Sequence, residues 1–185
     1  DDTFEELAEL SRGRAKGVTP AFVQPDGSFG PSFLQLKMRN LLITALRSRA
    51  KLEELAPGSS SELPMPLLPF FQMTSIHTDE ELASSYMEYR SAQPLADLIG
   101  LTGLDPTDPE SAVQPLISAY THSEEGRPKE IFTRAWGREG ETLPLPGGHG
   151  QNFSVLRNVY RSLYENGKRF VYLGNVDNLG FLPDP

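Results

Sequence analysis

An α/β fold with a largely parallel central sheet is the architecture this sequence predicts, and three observations carry the prediction. Short apolar runs bounded by proline and glycine alternate with stretches of helical period along most of the chain. The segment after Pro31-Ser32 gathers Phe33, Leu34, Leu36, Met38, Leu41, Leu42 and Leu46 on one wide apolar face, with Arg39, Arg47, Arg49 and Lys51 opposite. The C-terminal stretch runs from a glycine-rich turn, Pro146-Gly147-Gly148-His149-Gly150, through an amphipathic helix into an apolar strand that stops at Asn175-Val176-Asp177-Asn178. A carboxylate and two amides at the carboxyl end of a strand stand where open α/β sheets bind ligands.

Taken in order, residues 3–10 read as a short helix, with Thr3 as a cap and Glu5 and Glu6 in the first turn. A basic loop follows, Arg12-Gly13-Arg14-Ala15-Lys16-Gly17, and then a strand is expected over residues 18–23. Gln24-Pro25-Asp26-Gly27 is a turn, because proline presets φ and glycine accepts a positive φ. The helix opened by Pro31-Ser32 ends at Pro57-Gly58. Residues 67–73 are a buried strand candidate, and Thr78-Asp79-Glu80-Glu81 reads as a cap with an acidic first turn, opening a helix to about Tyr89. Prolines 94, 106, 109, 115 and 128 break up the next stretch, in which residues 116–120 and 131–136 are the strand candidates. A helix is expected over residues 151–166, closed by Gly167, and a final strand over 168–173.

The bulk composition limits the function. With 185 residues the chain can bury the core of one domain. A formal net charge of -8 argues against a broad nucleic-acid surface and against adhesion to anionic membranes, but not against a single phosphate ligand in a locally positive site. With no cysteine there is no disulfide, thiolate metal site or cysteine nucleophile. No histidine pair has zinc-ligand spacing. There is no apolar run of membrane-spanning length and no signal-peptide pattern, so a cytoplasmic location is the default expectation.

The motifs at residues 146–150 and 174–180, separated by one helix, together resemble the UTP–glucose-1-phosphate uridylyltransferases, also called UDP-sugar pyrophosphorylases. That family carries a Pro-Pro-Gly-His-Gly-Asp loop and a Ser-Asn-Val-Asp-Asn-Leu-Gly strand end at this spacing. Met73-Thr74-Ser75-Ile76-His77-Thr78 is similar to the family's Met-Asn-Ser-Phe-Asn-Thr junction. Lys16-Gly17-Val18 followed by Ser32-Phe33-Leu34-Gln35-Leu36-Lys37 resembles its basic loop and the helix after it, and Asp184-Pro185 matches bacterial relatives.

The resemblance implies a three-layer, Rossmann-like nucleotidyltransferase core of the GT-A type, present in part, with residues 1–185 one domain drawn from a larger catalytic domain. It implies transfer of UMP from UTP to a sugar-1-phosphate, giving a UDP-sugar and pyrophosphate with Mg²⁺ as cofactor. Asp177 would be the metal ligand and Lys16 the cation on the phosphates, with Arg12 and Arg14 as further candidates. Gly147 and Gly148 would face the base, His149 the phosphosugar, and Asn175 and Asn178 sugar or ribose hydroxyls.

Several positions depart from the family. The stretch before Lys16 holds one glycine, Gly13, where the family has a Gly-Gly loop; Gln151 replaces its loop aspartate; and Phe132-Thr133-Arg134 lacks the glutamine of its Phe-x-Gln element. Each residue also has a plainer reading. Asp177 alone fits a turn cap after a strand, His149 a loop histidine, and Lys16 a solvated loop. Two other functions therefore stay open: a nucleotide-sugar-binding or regulatory module without turnover, and a metal-dependent glycosyltransferase relative. The latter family's Asp-x-Asp pattern is not found around Asp177.

Overall fold

The computed structural model describes residues 2–58, 68–122 and 128–180. Leu67 and Asp184-Pro185, invoked above, lie outside the described residues. The protein is a small mixed α/β domain in which helices pack around a parallel strand pair, with an antiparallel pair beside it.

Helix α1 spans Asp2–Ser11, so the helix starts before Thr3. Helix α2, Phe33–Leu55, begins with a reciprocal capping box. The Ser32 Oγ accepts from the Gln35 N–H at 3.2 Å, and the Gln35 Oε1 accepts from the Ser32 N–H at 2.8 Å. The same Ser32 hydroxyl donates to the Tyr89 hydroxyl at 2.9 Å, tying the start of α2 to the end of helix α3, Asp79–Ser91. Buried Leu34, Met38, Leu42 and Ala45 recur at helical spacing along α2. They pack with Tyr86 and Tyr89 of α3, with Leu95 of helix α4 (Leu95–Thr102) and with Leu104. This cluster is the core, and Met38 and Leu42 are almost wholly removed from solvent.

Strand β1, Phe71–Ser75, pairs in parallel with β2, Glu110–Gln114, in a register that sets Ser75 opposite Gln114. The carboxyl ends of the two strands therefore form one rim. Strand β3, Leu116–Ser118, pairs antiparallel with β4, Pro144–Pro146. Short helix α5, Asn152–Val155, and helix α6, Arg157–Glu165, follow, and Tyr160 of α6 meets Phe71 edge-on at 5.4 Å between ring centroids.

The structure corrects several expectations. Residues 18–23 are not a strand. Lys16–Val18 form a 3-10 turn, and the chain then folds back on itself through the Ala21 N–H to Pro31 O (3.0 Å) and Gly30 N–H to Phe22 O (3.0 Å) bonds. Pro20 and Pro25 lack the N–H groups that a ladder needs. The turn at Gly27 forms as expected, with φ +82° and its N–H bonded to the Gln24 carbonyl at 2.9 Å. Thr78 makes no cap bond to α3, because its hydroxyl is engaged with Ser75. Residues 131–136 hold only isolated bridges before the 3-10 turn Ala135–Gly137. The helix expected over 151–166 breaks at Leu156, whose ψ is 13°. Its end is as expected: Gly167 at φ +84° follows Asn166, and the Gly167 and Lys168 N–H groups return to the Tyr164 and Leu163 carbonyls.

Residues 168–173 are not a strand either. They pair with no other strand among the described residues, and the Phe170, Val171 and Tyr172 side chains are exposed. The parallel sheet is thus the β1–β2 pair, and the sequence-based expectation of a largely parallel sheet is realised only there. Among the described residues no helix is long and apolar enough to cross a membrane.

Candidate functional site

The candidate residues fall in two groups, one beside the start of α3 and one at the end of β2. On the β1 side, the chain turns at residues 76–78 and enters α3, whose first turn carries Glu81 and Leu82. The Glu81 Oε2 accepts the backbone N–H of Ala15 at 2.8 Å and so fixes the basic loop to the start of α3. Gly17 is buried there. A Cβ on it would meet Leu82 Cδ2 at 3.4 Å, Val176 Cγ2 at 3.6 Å and Leu34 Cβ at 3.7 Å. The backbone is therefore held among three apolar side chains while the Lys16 side chain reaches solvent.

Val176 packs against the core, and Asp177 follows it into a turn closed by the Asn178 N–H to Asn175 O bond at 3.1 Å. The result is an ion pair: Lys16 Nζ stands 3.1 Å from Asp177 Oδ2, with both side chains partly exposed. The hydrogen bond from Lys16 holds the Asp177 carboxyl below the usual carboxylate range, and Lys37 adds a smaller attraction. Lys37, on α2, is itself shifted downward by partial burial, with Asp177 acting in the opposite sense.

On the β2 side, Gln114 is buried at the strand end and its Nε2 donates to the Gly148 carbonyl at 2.7 Å. This bond latches the glycine-histidine loop to the rim. Gly148 has φ +90° and ψ 170°, a conformation essentially confined to glycine. At Gly147 the absent Cβ leaves room for the Gln151 amide, which a Cβ would meet at 2.3 Å. His149 opens a 3-10 turn, His149–Gln151, and is exposed, as are Asn175 and Asn178.

The structure thus joins Lys16 to Asp177, and it separately fixes the Gly147–His149 loop to the end of β2 through Gln114. It does not bring Arg12 or Arg14 into the group. Arg12 pairs with Glu9 at 2.8 Å, and Arg14 lies over the Phe29 ring at 5.0 Å and donates to the Leu10 carbonyl. Two residues escaped the sequence reading. Gln114 holds the glycine-histidine loop to the end of β2. Its signal was a short run between Pro109 and Pro115 ending in glutamine. Lys37 lies one helical turn beyond Leu34, so the helix that buries Leu34 against Gly17 also delivers Lys37 toward Asp177.

Among the described residues no group of three or more His, Asp or Glu side chains converges as a metal cage. Asp177 offers a lone carboxylate, already hydrogen-bonded by an ammonium. That donor set suits Mg²⁺ only when phosphate oxygens and water complete the shell, which is how this ion is commonly held beside nucleotides. A cleft of about 440 Å³ opens elsewhere, between α3 and one face of the β1–β2 pair, and is lined by Gln72, Asp79, Tyr86, Arg90, Asp108 and Ser111. None of the sequence-predicted site residues lines it. No protein-family model matches this sequence, and no curated protein matches it.

Proposed function

We propose that this chain is part of a nucleotidyltransferase of the UTP–sugar-1-phosphate uridylyltransferase kind, built on a Rossmann-like, GT-A-type core. Two observations support the reading: the Lys16–Asp177 ion pair, and the bond by which Gln114 fixes the Gly147–His149 loop at the end of β2. In this reading a phosphate oxygen of the sugar-1-phosphate attacks the α-phosphorus of UTP. The bond from that phosphorus to the bridging oxygen breaks, and pyrophosphate leaves with the electron pair. The attacking phosphate is already ionised, so positioning and charge neutralisation matter more than a general base.

Lys16 takes the phosphate charge, and Asp177 would hold Mg²⁺ together with the phosphate oxygens. When bound, that ion neutralises charge on the phosphates and aligns them. Gly147 and Gly148 let the backbone approach the base closely. His149, Asn175 and Asn178 donate to the phosphosugar and to sugar or ribose hydroxyls.

A second reading, a nucleotide-sugar-binding module without turnover, is favoured by one observation. The loop before Lys16 has a single glycine, Gly13, with no atom within 4 Å of where a Cβ would stand, and Arg12 turns back to Glu9. Calorimetric titration of UTP and of UDP-glucose in magnesium, combined with a pyrophosphate-exchange assay, separates the two. Binding with exchange supports the transferase, binding without exchange supports the module, and no binding of either ligand overturns both.

A further inference from the structure

We propose that the outer edge of strand β3 is a self-association site, at which two copies of this chain pair antiparallel through residues 116–120 about a two-fold axis at Ser118. The proposal is independent of the transferase reading and uses none of its residues.

The edge follows from the alternation of backbone groups along the strand. The Ala119 N–H donates to the Leu143 carbonyl at 2.8 Å, and the Thr121 N–H donates to the Glu130 carbonyl at 2.8 Å. The Ala119 carbonyl accepts from the Phe132 N–H, also at 2.8 Å. Backbone groups at the odd positions therefore point toward β4 and residues 130–132. Pro146 and Pro144 stand opposite Leu116 and Ser118 and have no N–H to give, as suits pairs that exchange no ladder bonds. The N–H and C=O groups of Leu116, Ser118 and Tyr120 are thus directed to the other edge. No other strand pairs with that edge among the described residues.

Open edges are commonly blunted by a charge or a proline. Residues 116–121, Leu-Ile-Ser-Ala-Tyr-Thr, carry neither. The occupant is a second copy because the strand matches itself. With Ser118 facing Ser118 of the second copy, Leu116 and Tyr120 fall opposite each other on both sides of the axis, and Ile117 falls opposite Ala119. Each pair formed by Leu116, Ser118 and Tyr120 then exchanges two N–H···O bonds. Ile117 and Tyr120 are exposed in the single chain and gain apolar cross-strand neighbours in the pair. No ion pair crosses the axis, and each copy carries a formal net charge of -8, so the copies repel at long range. So short an edge also covers less than the about 800 Å² per partner of a standard interface. The dimer is therefore reversible, and screening by salt tightens it.

Sedimentation equilibrium of the full chain should show a monomer–dimer equilibrium in the range of about 0.1 mM, tightening as salt is raised. In the unmutated dilute protein, amide exchange should be fast at Ser118 and Tyr120 and slow at Ala119 and Thr121. At high concentration Ser118 and Tyr120 should become protected as well. Ser118→Lys sets two like charges across the axis without touching the bonds to β4, and should weaken association at least about tenfold. The sequence has no cysteine, so Ser118→Cys introduces one thiol per copy. Opposed residues in such a pair stand about 5.5 Å apart between Cα atoms, within disulfide reach. Mild oxidation should convert Ser118→Cys to a covalent dimer far faster than Ser84→Cys, whose site is exposed on α3. Equal cross-linking of the two variants overturns the proposal, as does a chain that stays monomeric at about 1 mM. So does a dimer in which Ser118 and Tyr120 still exchange fast, or protection of both amides in the dilute monomer. A dimer that salt dissociates overturns it too, because ion pairs then hold the copies together.

Discussion

The ammonium of Lys16 lies 3.1 Å from the carboxylate of Asp177, although one follows the first helix and the other lies near the end of the described residues. Their immediate neighbours, Gly17 and Val176, lie beside each other at the edge of the core, and this packing brings the charged pair together. The pair is partly exposed, so it contributes about 0–1 kcal/mol to stability, and its significance lies in what it positions.

Replacing Asp177 by Asn therefore separates function from folding. The thermal midpoint should move by no more than a degree or two, while under the proposed transferase function magnesium-dependent turnover of UTP should fall at least about a hundredfold. Turnover within threefold of wild type would show that no essential metal contact runs through this carboxylate.

The pH dependence of the pair has a definite sign. The folded-state value for Asp177 lies below its ordinary 3.8, so the unfolded chain binds the proton more readily and the ion pair stabilises the fold above the unfolded value. That contribution is lost as pH falls through the depressed folded value. Melting of wild type and Asp177→Asn should accordingly differ by a small constant amount at pH 5 to 7, and the two curves should converge below about pH 4. A gap that widens on acidification contradicts the assignment.

Gln114 and Gly148 make a paired prediction. Gln114→Leu keeps the bulk at the strand end and removes the bond to Gly148, which should cost about 1 kcal/mol of stability. It should also speed amide exchange across residues 147–151, because β2 no longer holds the loop. Gly148→Ala forces a Cβ into a backbone region reserved for glycine, at about 1–3 kcal/mol. Both variants should weaken UTP binding while leaving pyrophosphate binding within twofold, since the loop is assigned to the base and sugar; calorimetry with the two ligands checks this.

In the core, Leu42 is completely buried between α2 and its neighbours. Leu42→Ala should destabilise by about 2–5 kcal/mol in urea titration, the range for a deleted core leucine. Ser32→Ala should cost about 1 kcal/mol, for the lost cap bond together with the partner removed from Tyr89. A Ser32→Ala effect below a few tenths of a kcal/mol would mean that water replaces both bonds.

Which parts of this structure were legible in the sequence follows from the range of the forces involved. Helix α2, its start at Ser32 and its stop near Pro57 are local matters of period, capping and glycine, and they read correctly. The turn at Gly27 and the glycine after α6 read correctly for the same reason. Strands failed where pairing decides them. Residues 168–173 have strand-like composition but no partner strand among the described residues, and β4 is a proline-bounded segment that no propensity argument selects. Helix α4 was hidden among prolines, one of which, Pro94, immediately precedes it. At the site, Lys16 and Asp177 were named as types that suit phosphate and metal. Their contact is a tertiary fact, set by packing around Gly17, and so is the bond from Gln114 to Gly148.

The Ala15 N–H bonded to Glu81 and the buried Gly17 anchor the backbone on either side of Lys16. What stays mobile there is a side chain that ends in a charge. Capture of an anion by that ammonium therefore orders side-chain rotations more than backbone.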